Sequence, residues 1–318
     1  MTNQEKSPIL TITLNPAMDV FVHVNHLDSG TLHRASEFRK NPGGKGINVS
    51  KALNAFGTPT VASGFIGGYN GEWVKNQLMD QSIPTRFAQI NEETRMNIKV
   101  VEAQGKLTEL NSSSPALTSE DWTHLDGLLE QLAGDSSWVA FCGNLPGHCS
   151  PDWYEKAIQR CRELGLKTAV DTSGEALKHA VKAKPDFIKP NIEELEELTG
   201  KETATIEEVV AAAEDLAASG ISTVAVTIGA KGMVVAREME TWVITVPEVD
   251  VVSPVGAGDS VVAGFLHGFY HQEAFSETIR FAAACGVAAV MKDGTAQPEP
   301  TDVESLLSKI KIEKREVS

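Results

Sequence analysis

From residue 119 onward the chain alternates, at short and even intervals, between helical apolar spacing and brief runs of β-branched residues. The spacing predicts helices over 119–133, 151–164, 174–182, 191–199 and 206–219, and strands over 137–142, 167–171, 186–189 and 222–228. Strands separated by helices cannot be joined by tight hairpins. They run parallel in one sheet whose two faces the helices cover. The fold class is therefore α/β, with a mostly parallel central sheet. Residues 9–14 (ILTITL) and 60–66 (TVASGFI) read as further strands, and 45–56 and 70–80 as helices. A hairpin is expected over 233–246 and helices near 259–270, 276–291 and 301–310. The closing KIKIEKREVS reads as a frayed tail.

The first third of the chain breaks this rhythm. Residues 20–24 (VFVHV) alternate like a half-exposed strand, and 94–103 with 106–111 form a hairpin pattern around Gln104-Gly105. Together with a strand near 34–40, these predict a small separate sheet.

Composition narrows the function. The chain has 318 residues, 42% of them hydrophobic, enough for one large α/β domain with an elaboration or two small domains. A formal charge of −15 excludes a general binder of nucleic acid or anionic membrane. Against that background Arg34, Arg39, Lys40, Lys45 and Lys51 crowd into 34–51 with Glu37 as their one acid. The cluster is either a solvated patch or a local anion site. Cys142, Cys149, Cys161 and Cys285 lack the spacing of a zinc site or disulfide framework, so reduced thiols in a cytoplasmic protein are expected. The N-terminal MTNQEKSP carries no signal-peptide core, and no apolar run approaches the ~18 residues of a membrane span.

The chemistry concentrates in Ser253-Pro254-Val255-Gly256-Ala257-Gly258-Asp259-Ser260, a glycine turn running into a helix with Val261, Val262, Phe265, Leu266 and Phe269 as its apolar positions. Glycine lets backbone approach a ligand, and the first N–H groups of a helix are free and electropositive. Together they make an anion site. Asp259 is either the N-cap of that helix or a base beside the anion site. No G-x-x-x-x-G-K-[ST] occurs, and Val261 stands where a dinucleotide fingerprint needs glycine or alanine, so neither a P-loop nor a Rossmann site is supported.

Three further segments offer polar groups. Pro42-Gly43-Gly44-Lys45-Gly46-Ile47-Asn48 leads a glycine loop into a helix within the basic cluster. It is either a strand-to-helix turn that needs glycine or a ligand loop whose backbone and Asn48 suit hydroxyls and whose Lys45 suits a phosphate. Lys189-Pro190-Asn191-Ile192-Glu193-Glu194 fits a capping box started by Asn191, or an Asn and Glu that order a hydrated Mg²⁺. Thr227-Ile228-Gly229-Ala230-Lys231-Gly232 is either a plain hairpin entry or a nucleotide ledge.

In this order, G-G-K-G-I-N-V-S, K-P-N-x-E-E-L, T-x-G-x-x-G and G-A-G-D resemble the ribokinase-like carbohydrate kinases, the PfkB family, over nearly the whole chain. T-L-N-P-A-M-D at 13–19, T-R-M-N-I-K-V at 94–100 and T-E-L-N at 108–111 are similar to its branch acting on ketohexose phosphates. Cys142-Gly143-Asn144 departs from that branch, which commonly has S-G-S there. The resemblance implies a three-layer kinase domain over 1–318 with a small β-sheet lid drawn from about 18–42 and 94–112, pairing with its twin in a homodimer. It implies Asp259 as base, with the amides of Gly256, Ala257 and Gly258 as anion hole. It implies Asp19, Gly44, Lys45, Asn48 and Arg95 on a sugar phosphate. Lys189, Asn191, Glu194, Thr227, Gly229 and Gly232 would lie along ATP, with Asn191 and Glu194 meeting Mg²⁺ through water. The implied reaction is ATP-dependent phosphorylation of the 6-hydroxyl of D-fructose 1-phosphate. The alternatives are tagatose 6-phosphate as acceptor, or a non-catalytic sugar-phosphate sensor.

Overall fold

The structure, a computed structural model, describes residues 7–238, 240–295 and 297–316. The first strand, β1 (Ile9–Thr13), is followed by β2 (Ala17–Val24), β3 (Glu37–Gly43), α1 (Lys45–Ala55), β4 (Thr60–Gly67), α2 (Gly68–Asp80), β5 (Thr85–Ile90), β6 (Arg95–Glu102) and β7 (Leu107–Asn111). The alternating part contains α3 (Ser119–Ala133), β8 (Trp138–Cys142), α4 (Trp153–Glu163), β9 (Lys167–Asp171), α5 (Gly174–Ala180), β10 (Phe187–Ile188), α6 (Ile192–Thr199), α7 (Ile206–Ala218) and β11 (Thr223–Thr227). Then come β12 (Met233–Arg237), β13 (Glu240–Thr245), α8 (Ala257–His271), α9 (Phe275–Val290), α10 (Pro300–Leu307) and β14 (Lys311–Glu316).

Ten strands form one sheet in the order β14-β13-β12-β11-β10-β9-β8-β1-β4-β5. The pairs from β5 to β11 are parallel, and β12, β13 and β14 close one end antiparallel. Successive strand residues face opposite ways. Ile9 and Phe187 join the core beneath α1, α8, α9 and α10, whereas Leu10, Ile12 and Ile188 join the core beneath α3 to α7. Because both faces are covered, these strands are apolar throughout rather than alternating. Each fully buried Phe or Ile contributes roughly 1.5–3 kcal/mol. Helices α8 and α9 touch closely because Gly264 and Gly268 face Ala282 and Thr278; a Cβ on Gly264 would lie 2.6 Å from Ala282 Cα.

A second sheet, β3-β2-β6-β7, lies apart from the first. Met18 and Val20 on one of its faces pack with Ile47, Val74 and Leu78, while farther out Phe38 and Leu110 are exposed. The opposite face of β2 and β6, with Asp19, Asn97 and Lys99, looks into a cavity.

Two expectations change. The closing segment is not a frayed tail, since Lys311–Glu316 pairs antiparallel with β13 along its length. Its Lys/Ile/Glu alternation suits an edge strand, where charge discourages further pairing. The sequence pattern also gives no sign of β5, which pairs parallel with β4 at the opposite edge. Only Ala88 and Ile90 of its six residues are buried, too few to announce a strand by pattern.

Candidate active site

A cavity of about 440 Å³ opens at the carboxyl ends of β1, β8, β9 and β11, with Thr13, Cys142, Asp171 and Thr227 at those ends, beneath the small sheet. This is where open parallel sheets usually bind ligands.

Helix α8 points its N-terminus into the cavity. Its N-cap is Gly256, with φ 82°, a left-handed conformation that favours glycine. Asp259 is therefore the third helical residue, not the cap. It is 7% exposed and accepts a 2.8 Å hydrogen bond from Asn48 Nδ2. Burial pushes its carboxyl up to about 6, and the charge of Asp171 adds to the rise; Lys45, Asn48 and Lys189 hold it back. Gly256 and Gly258 line the cavity. Ala257 lies between them, half-buried, with its N–H directed to Pro254 O at 3.4 Å.

Asp171 was not singled out from the sequence. It is 1% exposed, and its Oδ1 lies 3.3 Å from Lys45 Nζ and 3.4 Å from Lys189 Nζ. Asp171 holds the Lys45 ammonium well above the usual lysine range, against the opposing effect of burial. Lys189 also borders the α8 turn, since a Cβ on Gly258 would lie 3.3 Å from its Nζ. The available signal was an aspartate ending a buried parallel strand.

On the other wall, Gly44 (φ 125°) caps α1 and lines the cavity with Lys45 and Asn48. Gly43 lets β3 lie against Asp19, because a Cβ there would come within 2.5 Å of that carboxyl. Asp19 is buried and accepts from Asn97 Nδ2 at 2.9 Å and Lys99 Nζ at 3.3 Å. Arg95 donates to Asn15 O at 3.2 Å and Asn97 Oδ1 at 3.2 Å, and among the described residues no carboxylate lies within ion-pair distance of it. Asn97 and Lys99 were missed as site residues. They follow Arg95 at two-residue steps, so strand periodicity puts all three on one face.

The basic cluster proves not to be a patch. Lys45 enters the cavity, and Arg39 pairs with Asp293 at 2.8 Å. Lys51 is buried against Thr295 O at 3.2 Å, with burial pulling its ammonium down to about 8; Arg34 and Lys40 are exposed.

Asn191 and Glu194 do form a capping box: Glu194 N–H donates to Asn191 Oδ1 at 2.7 Å, and Asn191 N–H to Glu194 Oε2 at 2.9 Å. Both nevertheless line the cavity, as do Lys189 and Thr227. The cap takes one Glu194 oxygen and leaves Oε1 outside it, which fits a hydrated Mg²⁺ that needs acceptors for its waters. Gly229 and Gly232 are not among the lining residues. Gly232 has a packing reason of its own, since a Cβ there would sit 2.0 Å from Ile244 O. Cys142, Gly143 and Asn144 line the floor. Burial pushes the Cys142 thiol far up, so it is a packing group rather than a nucleophile.

A helix N-terminus, a buried carboxylate beside it and several cavity-facing cations define a site for moving a phosphoryl group. Residues 12–302 match the model of the pfkB family carbohydrate kinases, and the chain belongs to that family. It is 35% identical over 306 residues to a 1-phosphofructokinase of Bacillus subtilis, covering 96% of this chain and 99% of the relative. It is 31% identical over 307 residues to a tagatose-6-phosphate kinase of Staphylococcus epidermidis, covering 96% and 99%. The crystal structure of phosphofructokinase-2 from Escherichia coli in complex with substrates and products superposes with a TM-score of 0.90 at 28% identity, covering 95% of this chain and 98% of that one. The fold is that of the ribokinase-like kinases, with the mixed sheet and small separate sheet described above. Among the described residues no helix is long and apolar enough to cross a membrane.

Proposed function

We propose that this protein transfers the γ-phosphoryl group of ATP to the 6-hydroxyl of D-fructose 1-phosphate, forming fructose 1,6-bisphosphate and ADP. The observation that carries this reading is Asp259, a buried carboxylate raised toward neutrality and oriented by Asn48, beside the open first turn of α8 in a cavity that Arg95 also faces. Asp259 accepts the hydroxyl proton as the sugar oxygen bonds to the γ-phosphorus and the bond to the β,γ-bridging oxygen breaks. The amides of Gly256 and Gly258, with Lys189, face the charge on the transferring group, and that of Ala257 would join them on leaving its long 3.4 Å contact with Pro254 O. Arg95 takes the phosphate the sugar already carries, while Asp19 and Asn48 orient its hydroxyls. Lys189, Asn191, Glu194 and Thr227 lie along the nucleotide. Mg²⁺, ordered through water by Asn191 and Glu194, would neutralise charge on the phosphates.

The small sheet acts as a lid that excludes water from the transfer. Its exposed Phe38 and Leu110 favour pairing with a second lid in a homodimer. Tagatose 6-phosphate is the competing acceptor, favoured by the similarity to the tagatose-6-phosphate kinase. ADP release from Mg·ATP with fructose 1-phosphate, tagatose 6-phosphate, fructose 6-phosphate and fructose separates these readings. The highest kcat/KM is expected for fructose 1-phosphate. Preference for tagatose 6-phosphate would keep the chemistry and change the acceptor, whereas turnover with none would leave a sugar-phosphate sensor.

A further inference from the structure

We propose that Asp171 is the positioning residue of the transfer site, holding Lys45 from the acceptor wall and Lys189 from the donor wall on a single carboxylate oxygen. The inference rests on the kinase reading above and extends it to a residue that no motif contains.

The two lysines come from unrelated parts of the chain. Lys45 opens α1, directly after the Gly43-Gly44 turn. Lys189 follows β10 and leads into the Asn191 cap. Asp171 is the last residue of β9, which lies between β8 and β10 in the middle of the large sheet. It pairs with Cys142 of β8 and its carbonyl accepts from Gly143 N–H at 2.8 Å, while β10 pairs with the two residues before it, so it is the rigid member of the trio. Both ammonium groups lie within 3.4 Å of Asp171 Oδ1, at 3.3 Å for Lys45 and 3.4 Å for Lys189. Lys189 is thereby held beside Gly258, where the first turn of α8 opens to the cavity. Lysine side chains are long and rotatable, and without an anchor each would sample many positions.

A purely structural role accounts poorly for this arrangement. A buried ion pair is weak evidence for stability, because apolar side chains of similar volume often do as well. Asp171 also keeps its second oxygen buried with no partner among the described residues, which makes the arrangement more costly still. The carboxylate makes sense as an anchor that holds both cations in place where incoming phosphates would meet them. Preorganised cations of this kind stabilise developing charge without reorganisation.

The charged and titratable groups around Asp259 are Asp171 from β9, Lys45 and Lys51 from α1, Lys189 from the segment after β10, and Cys142 from β8. Removing the Asp171 charge takes away the one carboxylate in this set and leaves Asp259 facing the three lysines alone.

The test is Asp171→Asn in the full chain, which keeps the shape and removes the charge. The expected result is a fall in kcat of about 100-fold or more, as for loss of a preorganised electrostatic group. With it, the acid limb of kcat/KM should move to lower pH, and competitive labelling of Lys45 by acetic anhydride should quicken at least tenfold. A variant that folds with kcat within threefold of wild type, or with an unmoved limb and unchanged labelling, overturns the proposal. The wild-type protein offers a second measurement that does not depend on the variant's folding. Lys45 should label far more slowly than the exposed Lys309, and equal rates would remove Asp171 as its anchor. Absence of turnover with all four acceptors in the wild type would sink the kinase reading alone, because the labelling still reports whether Asp171 holds Lys45.

Discussion

The pH dependence of kcat/KM offers a direct test of how Asp259 is tuned. Its carboxyl sits near 6 because burial and Asp171 raise it, while the 2.8 Å hydrogen bond from Asn48 Nδ2 opposes them. The base must be ionised to accept a proton, so kcat/KM should fall as pH drops through about 6 and reach a plateau above neutrality. Asn48→Leu keeps the approximate volume and deletes the donor. A hydrogen bond to a charged group contributes about 1.5–3 kcal/mol, and one pKa unit corresponds to about 1.36 kcal/mol. The acid limb should therefore move up by roughly one to two pH units, to about 7–8. At pH 7 the wild-type carboxylate is about 90% ionised and the variant's about 10–50%, a pH-dependent loss of roughly 2- to 10-fold. If Asn48 also hydrogen-bonds the sugar, removing that bond lowers the whole profile equally and does not move the limb. Initial rates of ADP release at low acceptor concentration, followed from pH 5 to pH 9, give the profile. A limb that remains at the wild-type pH would show that Asn48 does not set the base.

Other perturbations separate chemistry from folding. Asp259→Asn should abolish turnover yet stabilise the protein at pH 7. The folded carboxyl is raised from 3.8 to about 6, so ionising it costs on the order of 3 kcal/mol in the fold. That stability is fully present below pH 3.8 and is lost as pH rises through about 6, so the advantage of the variant in denaturant titrations should vanish near pH 3. Arg95→Met should raise KM for the phosphorylated acceptor by roughly 10- to 100-fold with a smaller effect on KM for ATP, consistent with a charge-assisted hydrogen bond of about 1.5–3 kcal/mol; an unchanged acceptor KM would place the phosphate elsewhere. Gly264→Ala should destabilise by about 1–3 kcal/mol, because the new methyl meets Ala282 and must force α8 and α9 apart. Thermal melts of that variant would count against this packing if its Tm matched wild type.

The alternating region was legible because parallel strands covered on both faces announce themselves as apolar runs between helices. Strands β8, β9 and β11 and their helices fall where the pattern puts them. Edge strands escape the same logic. β5 buries too little to show a pattern, and β14 is charged because it is an edge. In the site, residues whose chemistry depends on local backbone were readable: Gly44 and Gly256 at helix starts, and the Asn191–Glu194 reciprocal cap. Residues whose role arises only from long-range approach were not. Asp171 is 126 residues from Lys45, and nothing nearby in the chain marks it as the point where the two lysines meet. Gly232 shows why glycine turns are ambiguous in sequence, since a Cβ there would meet Ile244 O and a packing reason of this kind reads the same as a ligand's.

The connection between the two sheets has a mechanical consequence. The chain leaves the large sheet at the end of β1, bends through Leu14-Asn15-Pro16, and enters the small sheet as β2, which carries Asp19. It returns from β3 through Gly43-Gly44 directly into α1, which carries Lys45 and Asn48. Arg95 begins β6 and holds the same bend through Asn15 O. The groups assigned to the acceptor therefore lie on the crossings themselves, where strain from moving the small sheet must be absorbed. Asp259, Lys189 and Asn191 belong to the large-sheet body, and they meet the acceptor wall through the hydrogen bond from Asn48 to Asp259 and through Asp171, which Lys45 and Lys189 share. On the proposed reading, a sugar phosphate held at once by Asp19 and Arg95 on the small sheet and by Lys45 and Asn48 on α1 would draw the small sheet over the cavity in the same step. Acceptor binding and water exclusion then become one event, which is what a kinase needs if ATP is not to be hydrolysed before the acceptor arrives.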